Sequence, residues 1–193
     1  WMAKRYSLPD NMVDREKNII PVSGTREALF LIALAAIPEK NSDARPVVLM
    51  PNPFYQVYAG AAVLAGADPV FLPAGPETGF LPDLHSVAPD ILARTALAYF
   101  CSPANPQGAI ADLESLKSIV LLARHHDFLL AFDECYGEIY DRDVAPPPGG
   151  VEACAALGGG LENVTIFNSL SKRSSAPGLR AGFVAGDDKL IQQ

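Results

Sequence analysis

Positive charge, cysteine, histidine and long apolar runs are all scarce in this sequence. Lys and Arg total 15 against 22 Asp and Glu, a net charge of −7 over 193 residues. Such a chain is poorly suited to neutralising a phosphate backbone, which excludes a nonspecific nucleic-acid partner but not one small anion held by local groups. The three cysteines, Cys101, Cys135 and Cys154, are widely spaced and form no C-x-x-C pair. That excludes a disulfide framework, points to a reducing, cytoplasmic compartment and leaves the Asn163 sequon without a role. No metal-ligand spacing joins His85, His125, His126, the cysteines and the acids, so no metal site is expected. The longest apolar run, residues 28–37, is followed by Pro38. It is far short of the ~18 residues of a membrane span and reads as a helix buried on all sides. The first residues, Trp1-Met2-Ala3-Lys4-Arg5-Tyr6, lack both the apolar core of a signal peptide and an initiator Met, and read as the start of a piece cut from something longer.

Apolar residues are plentiful. They make up 49% of the chain and charged residues 19%, which excludes a disordered chain. At about 150 residues per domain, the length gives one domain, or one plus part of another. Short apolar runs alternate with helical patterns. Strands are expected at residues 18–22, 47–50, 69–72, 97–100, 128–132, 164–167 and 182–185. Helices are expected from 25, over 54–64, from an Asp112 N-cap to about His126, and over 151–157 within a Pro- and Gly-rich loop from 141 to 160. Strands apolar throughout are buried on both faces, as in a parallel sheet covered by helices. The expected fold is a three-layer α/β/α sandwich with a mostly parallel, mixed sheet.

In such a sheet, ligands bind beyond the carboxyl ends of the strands. The informative polar residues stand there. Ser23-Gly24-Thr25 follows the first run, Asn105 the fourth and Asp133 the fifth, while Ser169, Ser171 and Lys172 follow the sixth. Each fragment has a plain reading too. Ser-Gly-Thr before a helix is either an N-cap or an anion cup. Asn-Pro-Gln-Gly is by itself a turn. A carboxylate at a buried strand end needs a partner, which a structural Arg or backbone N–H groups supply as readily as a ligand. Tyr55 reads as a core aromatic or a ligand contact, Lys172 as a solvated lysine or a reactive one, and Arg180 as a surface ion-pair residue or an anion fork. Arg26 lines a substrate or pairs with an acid. Ser171 and Ser174 neighbour the cup in sequence, and Cys135 reads as a small packed residue. No G-x-G-x-x-G follows the first strand, and no Walker lysine pattern occurs, so a dinucleotide or P-loop enzyme is disfavoured.

The order Ser-Gly-Thr, Pro-x-Tyr, Asn-Pro-x-Gly, Asp-x-x-Tyr, Ser-x-x-Lys and Arg resembles the large domain of fold-type I, pyridoxal-phosphate-dependent aminotransferases of classes I and II. The resemblance runs from about Asn18 to Gly186. Four stretches are similar to bacterial N-succinyldiaminopimelate aminotransferases: residues 19–30, Pro51-Asn52-Pro53-Phe54-Tyr55-Gln56, Asp133-Glu134-Cys135-Tyr136 and residues 169–174. The resemblance implies pyridoxal 5′-phosphate as cofactor. Lys172 would carry it as a Schiff base and shuttle the proton, and Asp133 would pair with the pyridine nitrogen. Tyr136 and Asn105 would bond its phenolic oxygen, and Tyr55 would stack on its ring. Ser23, Gly24, Thr25, Ser169 and Arg180 would form the phosphate cup. An unprotonated Lys172 would need burial or cationic neighbours.

The implied reaction moves an amino group between glutamate and N-succinyl-2-amino-6-oxopimelate, in the diaminopimelate route to lysine. Aspartate, alanine or aromatic aminotransferases, β-elimination on the same cofactor and a non-catalytic regulatory domain are alternatives. Family members are about twice this length, so residues 1–193 would be the cofactor-binding large domain. A C-terminal small domain with the arginine for the substrate carboxylate, an N-terminal arm and the partner of a homodimer would lie outside the chain. The partners implied are amino acids and keto acids or a semialdehyde, with neither nucleic acid nor membrane.

Overall fold

β-Branched and aromatic runs between Gly, Pro and Asp breakers form the strands, and the periodic apolar stretches between them form the helices. In a computed structural model, residues 1–37 and 44–192 are described; Pro38 and Gln193 lie outside them. The order is α1 (Met2–Arg5), β1 (Ile19–Val22), α2 (Thr25–Ala36), β2 (Val47–Asn52), α3 (Gln56–Leu64), β3 (Asp68–Pro73), α4 (Pro89–Leu92), β4 (Thr95–Cys101), α5 (Leu113–His126), β5 (Leu129–Asp133), α6 (Gly150–Ala156), β6 (Val164–Ser169), α7 (Leu170–Arg173), β7 (Gly182–Gly186) and α8 (Asp188–Ile191). Short 3₁₀ turns add Pro76–Thr78, Leu84–Ser86 and Pro177–Leu179. No helix among the described residues is long and apolar enough to cross a membrane.

The seven strands form one sheet in the order β1-β7-β6-β5-β4-β2-β3. Strands β2 to β6 pair in parallel, and β7 runs antiparallel to both β6 and β1. The expected mixed, mostly parallel α/β sandwich is what forms. One apolar layer joins α2 and α3 to the sheet through Leu29, Ile32, Tyr58, Tyr99 and Phe167. The other joins α1, α5 and α6 through Tyr6, Leu116, Val120, Phe132 and Val151.

Two expectations are corrected. Helix α2 is not buried on all sides: Ala28, Leu29, Ile32 and Ala33 face the sheet and α3, whereas Leu31 and Leu34 point outward, 58% and 43% exposed. An all-apolar run has no polar face to mark its outer side, so its composition hides this asymmetry. The first strand is not buried on both faces either. β1 is an edge strand with Ile20 and Pro21 exposed, a position where proline, lacking an N–H, is tolerated. Boundaries move by a residue or two elsewhere. Helix α3 starts at Gln56, not at Phe54, because Tyr55 is still extended at φ −79°, ψ 123°. Asp112 does cap α5, its carboxylate accepting from the Ser115 N–H at 2.7 Å.

Candidate active site

The topology gathers the polar strand ends at one rim. Cys101, Asp133 and Phe167 lie in register on β4, β5 and β6, so the chain leaves the sheet at one height in the loops bearing Asn105, Tyr136 and Lys172. Because β7 is antiparallel, its first residue Gly182 pairs with Ser169 and Val22, the last residues of β6 and β1. Arg180, just before β7, therefore stands beside Gly24 and Thr25, just after β1.

A cavity of about 230 Å³ opens at this rim. Of the expected site residues, Thr25, Tyr55, Asn105, Asp133, Tyr136, Ser169, Lys172 and Arg180 line it, and so do Arg26, Ser171 and Cys135. Ser23 does not line it and is exposed. Gly24 forms the cup from behind. It has φ +94°, and a Cβ there would run into the Arg180 guanidinium. As N-cap of the twelve-residue helix α2, Gly24 offers no side-chain acceptor to the first-turn N–H groups. Those donors and Arg180 face the same space, an arrangement suited to an anion. Arg180 donates to Glu27 Oε2 at 2.8 Å and to the Pro177 carbonyl at 3.3 Å.

The opposite end is acidic and buried. Asp133 is 5% exposed, and its carboxylate accepts from the Tyr58 hydroxyl at 2.6 Å and from the Cys135 N–H at 3.3 Å. These donors hold the carboxylate in place. Tyr58 carries no expectation from the sequence. The available signal was its place three residues after Tyr55, in the first turn of α3. Tyr58 stacks on Tyr99 at 4.2 Å, and the Tyr99 hydroxyl donates to the Leu29 carbonyl at 2.7 Å. A rigid brace thus runs from Asp133 to α2, the helix that opens at the anion cup. Burial first, and then the Asp133 charge, push the Tyr58 and Tyr136 hydroxyls above the ordinary tyrosine range, so both stay protonated donors. The Cys135 thiol is raised by burial and lies 3.0 Å from Thr25 Oγ1, which agrees with a packed residue and not a thiolate.

Tyr55 is half-buried, accepts from Arg26 Nε at 2.7 Å and meets Tyr58 edge-on at 5.8 Å. Among the described residues, Arg26 is thus held at the rim by a tyrosine and not by an acid. Lys172 lies on the four-residue helix α7, whose cap Ser169 accepts from the Ser171 N–H at 3.3 Å. Its Nζ is 5.7 Å from the centre of the Tyr136 ring. Lys172 is exposed, so burial within this chain does not supply the desolvation expected of it.

An anion cup, a buried carboxylate and a lysine around one cavity, in this chain order, match a known group of proteins. The family model for aminotransferase class I and II covers residues 2–193. The chain belongs to that family. A solved aminotransferase from Neisseria meningitidis Z2491 is 40% identical, with a TM-score of 0.89 over 100% of this chain and 47% of that one. The LL-diaminopimelate aminotransferase of Desulforudis audaxviator (strain MP104C) is 34% identical over 100% of this chain and 46% of its own length. A structure described as a "probable N-succinyldiaminopimelate aminotransferase" from Thermus thermophilus is 26% identical, with a TM-score of 0.84 over 100% of this chain and 48% of that one. The chain spans about half the length of the relatives it matches.

Class I and II aminotransferases depend on pyridoxal 5′-phosphate. The residues present fit that group. The cup of Gly24, the α2 N-terminus and Arg180 suits its phosphate, the Asp133 carboxylate suits a protonated ring nitrogen, and Lys172 supplies an amine within the same cavity.

Proposed function

We propose that the protein containing this chain is a pyridoxal-phosphate-dependent aminotransferase, and that residues 1–193 are its cofactor-binding large domain. The observation that carries this reading is the meeting of Asp133, Lys172 and the Gly24–Arg180 cup around one cavity. Bound pyridoxal phosphate supplies an aldehyde that exchanges amino groups and a ring that accepts electrons. The chain's own residues do the rest. Arg180, Ser169 and the backbone of Gly24 and Thr25 hold the phosphate. Asp133, anchored by the Tyr58 hydroxyl and the Cys135 N–H, would pair with the protonated ring nitrogen. Tyr136 and Asn105 donate to the phenolic oxygen, and Tyr55 covers one ring face. Lys172 would hold the cofactor through its amine, and the same amine would carry the proton away from the substrate α-carbon. Its exposure here calls for cover from segments beyond this chain, such as a small domain or the second subunit of a homodimer. Three free cysteines suit a reducing cytoplasm.

For the substrate, we propose amino transfer from glutamate to N-succinyl-2-amino-6-oxopimelate. The four stretches quoted above and the Thermus thermophilus relative support it. A second reading, LL-diaminopimelate as the substrate, is favoured by the 34% identical Desulforudis audaxviator relative. Assaying the full-length protein with each substrate decides between them. The account expects turnover of the succinylated semialdehyde with glutamate. Turnover of LL-diaminopimelate with 2-oxoglutarate alone would replace it with the second reading. Turnover of neither, with aspartate, alanine or aromatic substrates accepted, would remove both.

A further inference from the structure

Glu134 directly follows Asp133, yet no role in the chemistry falls to it. It is 4% exposed, so its carboxylate must be satisfied from within the protein. Two donors from distant chain segments do so. The Gly150 N–H donates to Oε1 at 2.6 Å, and the Tyr6 hydroxyl donates to Oε2 at 3.1 Å. The node is tight: a Cβ on Gly149 would lie 2.6 Å from the Tyr6 hydroxyl and 3.0 Å from Glu134 Oε1. The backbone N–H of Glu134 bonds the Phe167 carbonyl at 3.1 Å, which fixes the strand end that carries Asp133.

Tyr6 closes a stretch, residues 1–6, anchored at several points. Arg5 pairs with Glu138 at 2.7 Å, donates to the Pro147 carbonyl at 3.0 Å and lies over the Tyr6 ring at 4.7 Å. At the other end, the Arg173 guanidinium lies 4.2 Å from the Trp1 ring centre, and Trp1 meets Phe183 of β7 edge-on at 6.2 Å. The segment therefore grips the sequence neighbour of each central group, Glu134 beside Asp133 and Arg173 beside Lys172, from behind the cavity.

We propose that Tyr6, acting through Glu134, is a positioning residue for Asp133, and that residues 1–6 form a clasp holding the carboxylate end of the site in register with the lysine end. This rests on the reading of Asp133 as the partner of the cofactor's ring nitrogen. The clasp touches neither cofactor nor substrate. Its effect is confined to whatever depends on where the Asp133 carboxylate points.

The test compares two probes at pH 8 on the full-length protein: pyridoxal 5′-phosphate and its 1-deaza analogue, in which C–H replaces the ring nitrogen. Both have the same phosphate and aldehyde, so their affinity ratio isolates the Asp133 contact. Asp133→Asn is the control, and it lowers the ratio if the ring-nitrogen reading holds. Tyr6→Phe keeps the ring and its packing and removes one hydrogen bond. It is expected to lower the same ratio by about fivefold, part of the roughly tenfold or more that a hydrogen bond to an ionised group carries. Should Tyr6→Phe not fold, Glu138→Gln loosens the segment without touching the pair and lowers the ratio in the same direction. A lower melting temperature with an unchanged ratio would make Tyr6 a merely structural residue and overturn the proposal. An unchanged ratio in Asp133→Asn would instead overturn the ring-nitrogen reading beneath it.

Discussion

At the scale of single residues, two adjacent carboxylates show how neighbours in sequence acquire different duties. Asp133 opens onto the cavity, and Glu134 turns back into the protein. Burial pushes Glu134 up to about 7, and the Asp133 charge adds to the push. The Gly150 N–H, the Tyr6 hydroxyl and the Arg5 charge pull the other way and do not offset it. An acid raised in this way from its ordinary 4.5 binds more protons folded than unfolded between those two values. Its contribution is therefore fully present below pH 4.5 and is lost as pH rises through about 7. The loss is on the order of 3 kcal/mol at 1.36 kcal/mol per unit. Glu134→Gln should remove this dependence, so urea midpoints of the two proteins should diverge between pH 4.5 and 8, the glutamate form losing ground. Parallel curves would show that Glu134 does not titrate in that range. The sequence displayed Asp133 and Lys172 as chemistry because each stands at a strand end on the carboxyl rim, whereas Arg180 was marked only by the family resemblance. It did not display Tyr58 or Tyr6. Both act through tertiary hydrogen bonds, to Asp133 and Glu134, and no local spacing encodes such pairs.

At the scale of elements, two helix N-termini are finished in opposite ways. Helix α5 is closed by its own Asp112, whereas α2 opens with Gly24 and leaves its first-turn donors toward the cavity. Substitutions at the two sites should have opposite consequences. Asp112→Ala should cost about 1 kcal/mol of stability and spare cofactor retention. Gly24→Ala should impair retention, because alanine is strained at φ +94° and its Cβ would displace Arg180. Chemical denaturation beside retained pyridoxal phosphate after desalting checks both, and equal retention in the two variants would contradict the cup at α2. The sequence showed both helix starts and the seven strands within a residue or two, since breakers and apolar periodicity are local signals. It missed the outward face of α2 and the edge position of β1. Those depend on what packs alongside, and an all-apolar run is silent about it.

At the scale of the whole molecule, the antiparallel β7 is the decisive feature. It returns Arg180 to the rim from which β1 leaves, and so closes the cup opposite Asp133. The site is then a property of the assembled sheet, with the ends of six strands, β1, β2, β4, β5, β6 and β7, contributing to one cavity. The central claim is that this cavity holds pyridoxal phosphate through Lys172. The measurement that tests it most directly is the absorption spectrum of the purified protein after mixing with pyridoxal phosphate and desalting, beside Lys172→Ala, before and after borohydride. A retained imine band that borohydride fixes covalently to the wild type and not to the variant is expected. No retained band in the full-length protein, or equal fixation without Lys172, would contradict it.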